Sequence, residues 1–252
     1  MNSIRREQML EFIKNKEKIS IKELSGLFSN VSTMTIHRDL DFLEKKGVIV
    51  RVHGGAKYLS PDGSSMEPAL NEREVSNREL KKTISQKAAR LIKSGSSVYI
   101  DAGTTTSALC DSIPNIPLSI ITNSPNIAVK LADKSFVNVM LCGGTLEKKN
   151  LSLYGSAAAS SIEKLNIDIA FVTASGYSEQ CGFTCGNDGE AIIKKLVCQR
   201  ARKVAMLIDS SKLDLLLPFT FATEEDIDYF VCDKQPLGKL KEKLEQKGTT
   251  IL

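Results

Sequence analysis

The chain has 252 residues, 42% of them hydrophobic and 25% charged, with a formal net charge of +4. That composition suits a globular chain with room for one small and one larger domain, and excludes disordered, collagenous and disulfide-packed classes. No apolar run approaches the roughly 20 residues needed to span a bilayer. The first residues, MNSIRREQMLEFIK, open an amphipathic, charged helix and lack a signal-peptide core. The cytoplasm is therefore the expected compartment, and no membrane partner is expected. The six cysteines at 110, 142, 181, 185, 198 and 232 are scattered, and no histidine follows Gly55. Reduced thiols in core and loop positions are expected, with no metal site and no cofactor.

The segment from Ser20 to Ala56 carries the densest information. Ser20 and Glu23 form a capping-box pair, so a helix is expected to start at Ile21. Its apolar residues Ile21, Leu24, Leu27 and Phe28 recur at helical spacing and mark a buried face. Ser29-Asn30 favours a turn. Ser32 then caps a second helix whose inner side is Ile36, Leu40 and Leu43. Gly47, after Lys45 and Lys46, is placed to end that helix as a left-handed cap. The outward face near its start carries Ser32, Thr33, Thr35, His37 and Arg38, where a helix-turn-helix meets base edges. Val48 to Tyr58 alternates about Gly54-Gly55 and reads as a hairpin, with Arg51, His53 and Lys57 available to phosphate or the minor groove. The combination is a winged helix-turn-helix, spanning residues 1–59, with its paired helices at about 20–39 and double-stranded DNA as the expected partner.

Charge placement supports that reading over a helical hairpin used only for packing. Residues 1–60 hold 11 Lys and Arg against 7 Asp and Glu, whereas the remaining 192 residues hold 23 of each sign. The whole formal excess of +4 therefore falls on the candidate DNA-binding part, as a phosphate-binding footprint requires.

Residues 60–77, SPDGSSMEPALNEREVSN, are rich in Ser, Pro, Gly and charge and read as a linker, becoming helical from Glu67. A helical pattern follows from Arg78 through Ile84, Ala88 and Leu91 to Gly95. Strands are expected at 97–100, 118–121, 137–142, 167–172, 204–208, 229–232 and 249–252, with helices between most of them, at 124–131, 157–165, 188–201 and 237–246. This alternation makes 78–252 an α/β domain with a mostly parallel sheet covered on both faces.

In such sheets ligands bind beyond the carboxyl ends of the strands. The loop after the first strand is DAGTTT, where Asp101, Gly103, Thr104, Thr105 and Thr106 combine close backbone approach, hydroxyls and a helix start suited to a phosphate. TNS (122–124) brings Asn123 and Ser124, GG brings Gly143 and Gly144, and DSSK (209–212) brings Asp209 and Lys212 to other strand ends. Together these loops point to one polar crevice for a small phosphorylated or polyhydroxyl ligand.

Here a resemblance covers nearly the whole chain. VSTMTIHRDLDFLEKKGVIVRVHGGA (31–56), DAGTTT, TNS, GG, DIAFVTASG (168–176) and DSSK together resemble the DeoR family of bacterial transcriptional regulators. The resemblance implies a DNA-binding regulator, a repressor of a sugar or carbohydrate catabolic operon, released by a phosphorylated sugar. It also implies a C-terminal domain resembling sugar-phosphate isomerases of the ribose-5-phosphate type. DAGTTT would then be the phosphate cradle, with Asn123, Gly143-Gly144 and Lys212 lining the same cleft. A homo-oligomer, dimer or tetramer, would present paired recognition helices to related half-sites.

The sequence departs from the family pattern at His37, where the family usually has Arg. A permanently charged guanine reader is thereby exchanged for a side chain mostly neutral at physiological pH. The rival function is a sugar-phosphate isomerase-like enzyme with a DNA-binding appendage, for which Asp101, Asp209 or Glu190 would have to serve as base. Asp101 and Asp209 read better as hydroxyl acceptors or loop caps, so no catalytic residue is expected.

Overall fold

The chain divides into two units, Met1–Glu67 and Pro68–Leu252. The computed structural model describes residues 2–16, 18–46, 48–52, 54–58 and 70–252, without the side chains of 2–4, 18, 45, 57, 71 and 72. Gly47, His53 and most of the 60–77 segment lie outside the described residues.

The first unit runs α1 (Asn2–Lys16), β1 (Lys18–Ser20), α2 (Ile21–Leu27), α3 (Thr33–Lys45), β2 (Ile49–Val52) and β3 (Gly55–Tyr58). The capping box forms as its sequence requires. Ser20 Oγ accepts from Glu23 N, the Ser20 N–H donates to Glu23 Oε2 at 2.9 Å, and these bonds hold the Glu23 carboxyl down at about 2. Leu24 and Phe28 are buried, but Leu27 is 48% exposed. A seven-residue helix offers its neighbours one narrow stripe, and Leu27 lies off it. On α3, Ile36, Leu40 and Leu43 are all buried and pack with Met9 and Ile13 of α1 and Ile49 of β2.

The wing is a three-stranded antiparallel sheet in the order β1-β3-β2. The short strand β1 has too few residues to show a period of two, so periodicity does not reveal it. Gly55 is required by its approach: a Cβ there would sit 2.1 Å from the Ile19 carbonyl oxygen.

The second unit opens with α4 (Leu70–Val75), inside the segment read as linker, followed by α5 (Arg78–Ala89). Then come β4 (Ser97–Ile100), α6 (Thr104–Ser112), β5 (Leu118–Thr122), α7 (Pro125–Leu131) and β6 (Val137–Leu141). A hairpin of β7 (Thr145–Glu147) and β8 (Ser152–Tyr154) leads to α8 (Ser156–Glu163) and β9 (Ile169–Thr173). The remaining elements are β10 (Gly176–Ser178), β11 (Gly182–Cys185), α9 (Asp188–Arg200), β12 (Val204–Leu207), β13 (Phe219–Ala222), β14 (Tyr229–Val231), α10 (Gly238–Lys247) and β15 (Thr250–Ile251).

Seven strands form one parallel sheet in the order β15-β14-β12-β9-β4-β5-β6. They are the seven stretches expected from the sequence. The alternation of side chains builds a core on each face. Val98, Ile100, Phe171 and Leu207 pack with Ile84, Leu109 and Ile127 from α5, α6 and α7. Tyr99, Val172 and Met206 pack with Ile162, Ile193 and Leu240 from α8, α9 and α10. A small antiparallel sheet, β10-β11-β13, and the β7-β8 hairpin were not expected. Their strands have three or four residues, and three of the five begin with Gly or Ser.

From β4 the chain winds outward through β5 to β6. It then returns to β9 on the other side of β4 and winds away through β12, β14 and β15. The order of strands therefore reverses between β4 and β9, the switch point at which an open parallel sheet leaves a crevice beyond its carboxyl ends.

Candidate functional site

The switch point is built around a buried charge pair. Asp101 follows β4, and its Oδ2 accepts from the Thr173 N–H at 3.1 Å, from Thr173 Oγ1 at 3.0 Å and from the Lys194 ammonium. Lys194 projects from α9, donates also to the Thr173 carbonyl at 3.1 Å, and is buried along with Asp101. Burial works to lower the Lys194 pKa, but the carboxylates of Asp101 and Glu190 outweigh it and the net shift is upward. The pair ties the ends of β4 and β9 together. Asp101 is thereby committed to Thr173 and Lys194, which leaves it poorly placed to act as a free base. Beneath it, the Tyr99 hydroxyl is buried without a hydrogen-bond partner among the described residues, and burial pushes that phenol well up.

The loop DAGTTT runs from this pair into α6. A Cβ at Gly103 would lie 2.7 Å from Thr173 Oγ1, so glycine lets this loop pass close to the end of β9. Thr105 and Thr106 are buried, and Thr106 Oγ1 donates to the Gly103 carbonyl at 3.0 Å. That hydroxyl serves the loop, and Thr104 is the half-exposed one of the three threonines. Asn123 braces the neighbouring loop: its Oδ1 accepts from Ala102 N at 3.1 Å and its Nδ2 donates to the Leu153 carbonyl at 3.2 Å. Ser124 is buried. Gly143 and Gly144 are exposed. Gly144 has φ +129°, and a Cβ there would meet the Tyr154 carbonyl oxygen at 2.4 Å.

Around the DSSK turn the structure gathers residues that strand-end reasoning missed. Asp209 accepts from Ser211 N at 3.1 Å and from Asn77 Nδ2 at 3.4 Å. Lys81 is buried, and its ammonium donates to the carbonyls of Arg73 and Ser76. Burial lowers the Lys81 pKa; Asp209 opposes that, while Lys212 and Arg73 add to it. Lys81 thus feels the charges of Lys212 and Arg73 on one side and of Asp209 and Glu74 on the other. Glu190, on α9 one turn before Lys194, accepts from Asn150 Nδ2 at 2.6 Å and Ser152 Oγ at 2.8 Å. Glu190 and Lys194 are thus hydrogen-bonded to different partners, although the Glu190 carboxylate still helps raise the Lys194 pKa. Among the described residues no group of three His, Cys, Asp or Glu could hold a metal ion.

The first unit carries a second surface. Ser32 caps α3, accepting from Thr35 N at 3.2 Å. Ser32, Thr33, Met34 and Arg38 are exposed along the start of that helix, with Thr35 and His37 half-buried. Arg51 turns onto α3: Nη2 lies 2.8 Å from His37 Nδ1, and Nη1 lies 2.6 Å from Asp41 Oδ1. A phosphate contact from Arg51 requires its guanidinium to leave those partners. His53 and the side chain of Lys57 lie outside the described residues.

Beneath α3, Asp39 is 1% exposed and held by Arg5 Nε at 2.6 Å and Arg6 Nε at 2.7 Å. Burial works to raise the Asp39 pKa, but the two guanidiniums outweigh it and hold the carboxyl below the usual range. The signal for this was available, since Asp39 sits three residues after Ile36 and four before Leu43, on the buried stripe. Arg5 and Arg6, counted above as part of a phosphate-binding excess, are instead partly spent inside the domain.

Comparison with known proteins agrees with both units. Residues 5–62 match the model of the DeoR-like helix-turn-helix domain, and residues 76–234 match that of the DeoR C-terminal sensor domain. The chain is 33% identical over 249 residues to the HTH-type transcriptional regulator GlpR of Haloferax volcanii, covering 98% of this chain and 96% of that protein. It is 32% identical over 244 residues to the HTH-type transcriptional repressor GlcR of Bacillus subtilis, covering 97% and 93%. Its fold also aligns with ribose 5-phosphate isomerase A from Methanocaldococcus jannaschii over 55% of each chain, with a TM-score of 0.42 and 20% identity. With a DeoR-like helix-turn-helix domain in one unit and a DeoR sensor domain in the other, the chain belongs to the DeoR family of helix-turn-helix transcriptional regulators.

Proposed function

We propose that this regulator represses a sugar or carbohydrate catabolic operon and leaves its operator when a phosphorylated sugar enters the crevice at the switch point. The observation that carries the reading is that loops 101–106, 122–124, 143–144 and 209–212 all follow the carboxyl ends of strands, β4, β5, β6 and β12, in one parallel sheet. The start of α6 at Thr104 supplies free backbone N–H groups and a positive dipole end for the phosphate. Lys212, Lys81 and Arg73 supply cationic charge across the crevice, and Gly143-Gly144 leaves room for the sugar. A melting-temperature screen of the full chain against phosphorylated and free sugars tests this half. A ligand at 100 times its dissociation constant adds about 2.7 kcal/mol, and the reading requires a shift with a phosphorylated sugar but not with its free form.

On the DNA side, Ser32, Thr33, Thr35, His37 and Arg38 face the major groove. Paired copies of the chain, as a dimer or tetramer, place two such helices on related half-sites. Arg38 is exposed and has no bonded partner among the described residues. Arg38→Ala should therefore weaken operator binding by about 1–3 kcal/mol and leave the melting temperature unchanged. Equal loss of affinity on operator and random duplex would assign Arg38 to phosphate rather than to a base.

A further inference from the structure

Helix α4 begins three residues after the boundary between the two units, so it is the first described element of the second unit along the chain from the DNA-binding domain. The segment from α4 into α5 is bonded to the strand-end crevice at several points within the second unit. Arg73 Nη2 donates to Asn150 Oδ1, and the other end of the same amide donates to buried Glu190 at 2.6 Å. Asn77, between the helices, donates to Ser211 Oγ at 3.0 Å and to Asp209. It does so with φ +53°, a left-handed conformation that asparagine adopts more readily than most non-glycine residues. Lys81 reaches back from α5 to the carbonyls of Arg73 and Ser76 at the end of α4.

These contacts are polar, and their crevice ends are groups that a sugar or phosphate would also engage. Asn150 is the critical member. Its carbonyl oxygen holds Arg73 while its amino group holds Glu190, so turning the amide toward a ligand hydroxyl loses one of the two. Glu190 would keep Ser152 Oγ at 2.8 Å, so the buried carboxylate tolerates that exchange. Arg73, a planar donor fork matched to anionic oxygens, is drawn in the same direction by a phosphate.

We propose that Arg73, Asn150 and Glu190 form a latch through which the effector crevice holds α4, and that an occupant bonded to Asn150 or Glu190 opens it. The latched form is the operator-binding form. This rests on the reading of the crevice as an effector site, but the latch itself exists without ligand and is tested without it.

The test is hydrogen exchange of the full chain, unliganded, for wild type, Asn150→Ala, Arg73→Lys and the double variant. Operator affinity is measured in parallel on a duplex selected from a random-sequence pool. Both single variants remove the Arg73–Asn150 bond, from opposite ends, and Asn150→Ala also removes the bond to Glu190. Each should speed exchange over residues 70–75 by about tenfold and weaken operator binding, with α9 unchanged in Arg73→Lys, and the double variant should do less than the sum of the two singles. Unchanged exchange over 70–75 in both single variants would overturn the latch. A second arm adds ribose 5-phosphate, glucose 6-phosphate, fructose 6-phosphate or inorganic phosphate to wild type. A compound that raises the melting temperature should also speed exchange over 70–75, and one that raises it without doing so would overturn the latch. No melting shift with any of them would remove the sugar-phosphate reading, while the unliganded variants would still decide the latch.

Discussion

Replacing Lys194 with methionine is expected to destabilise the C-terminal domain by about 4–5 kcal/mol, near the top of the range for breaking a buried ion pair. The side chains of Lys194 and Asp101 are 5% and 1% exposed, so the carboxylate left behind cannot reach water. It would retain only the Thr173 N–H and hydroxyl as donors. A domain whose net stability is about 5–15 kcal/mol loses a large share of it by that one change. Adding Asp101→Asn removes the stranded charge and keeps an acceptor for the Thr173 N–H. The double variant should therefore recover about 2 kcal/mol relative to Lys194→Met alone, because replacing both members of a buried pair costs far less than breaking it. Urea unfolding of the full chain, with the transition of the second unit followed separately, measures both. Additive losses would mean that the two charges do not depend on each other.

The second large effect is expected from Asp39→Ala, at about 3 kcal/mol. The estimate sits lower because Arg5 and Arg6 are 17% and 24% exposed and regain water when their partner is lost. A small domain feels that loss strongly, so operator binding should fall with the folded population while the second unit melts as before. The same site fixes a pH dependence. The Asp39 carboxyl is held below its unfolded value, so its contribution is fully present above the unfolded pKa of about 3.9. It is lost as pH falls through the lower folded value. The first unit of wild type should therefore lose stability below about pH 4, and Asp39→Ala should remove that part of the acid sensitivity.

What could be read in the chain without its structure follows from the range of each interaction. The Ser20–Glu23 capping box and the Ser32 cap act across three residues, and both form where their spacing places them. The inner strands of the parallel sheet, such as β9 and β12, are buried on both faces, so they stand out as apolar runs between polar loops. The loops that line the crevice could be found because a parallel sheet puts every strand's carboxyl end on one side.

The rest depends on pairings across long stretches of chain. Lys194 meets Asp101 across 93 residues, and Asn150 meets Glu190 across 40 and Arg73 across 77. No local pattern announces such partners. Asp101 thus reads from the sequence as a ligand group, whereas its bonds inside the protein give it a structural role as well. Arg51 shows the same limit at shorter range. Its place on a hairpin suggests an outward cation, but His37 and Asp41 on α3 draw it inward.

The central claim is that occupancy of the switch-point crevice controls the grip of α3 on DNA. It is tested most directly by measuring operator affinity of the full chain at one fixed salt concentration, with and without the sugar phosphate that raises its melting temperature. Fixed salt is essential because phosphate contacts alone make affinity steeply salt-dependent. The account predicts that this ligand weakens operator binding by about 5- to 150-fold, and that the free sugar leaves it unchanged. A ligand that stabilises the protein at saturation yet leaves operator affinity where it was would contradict the account.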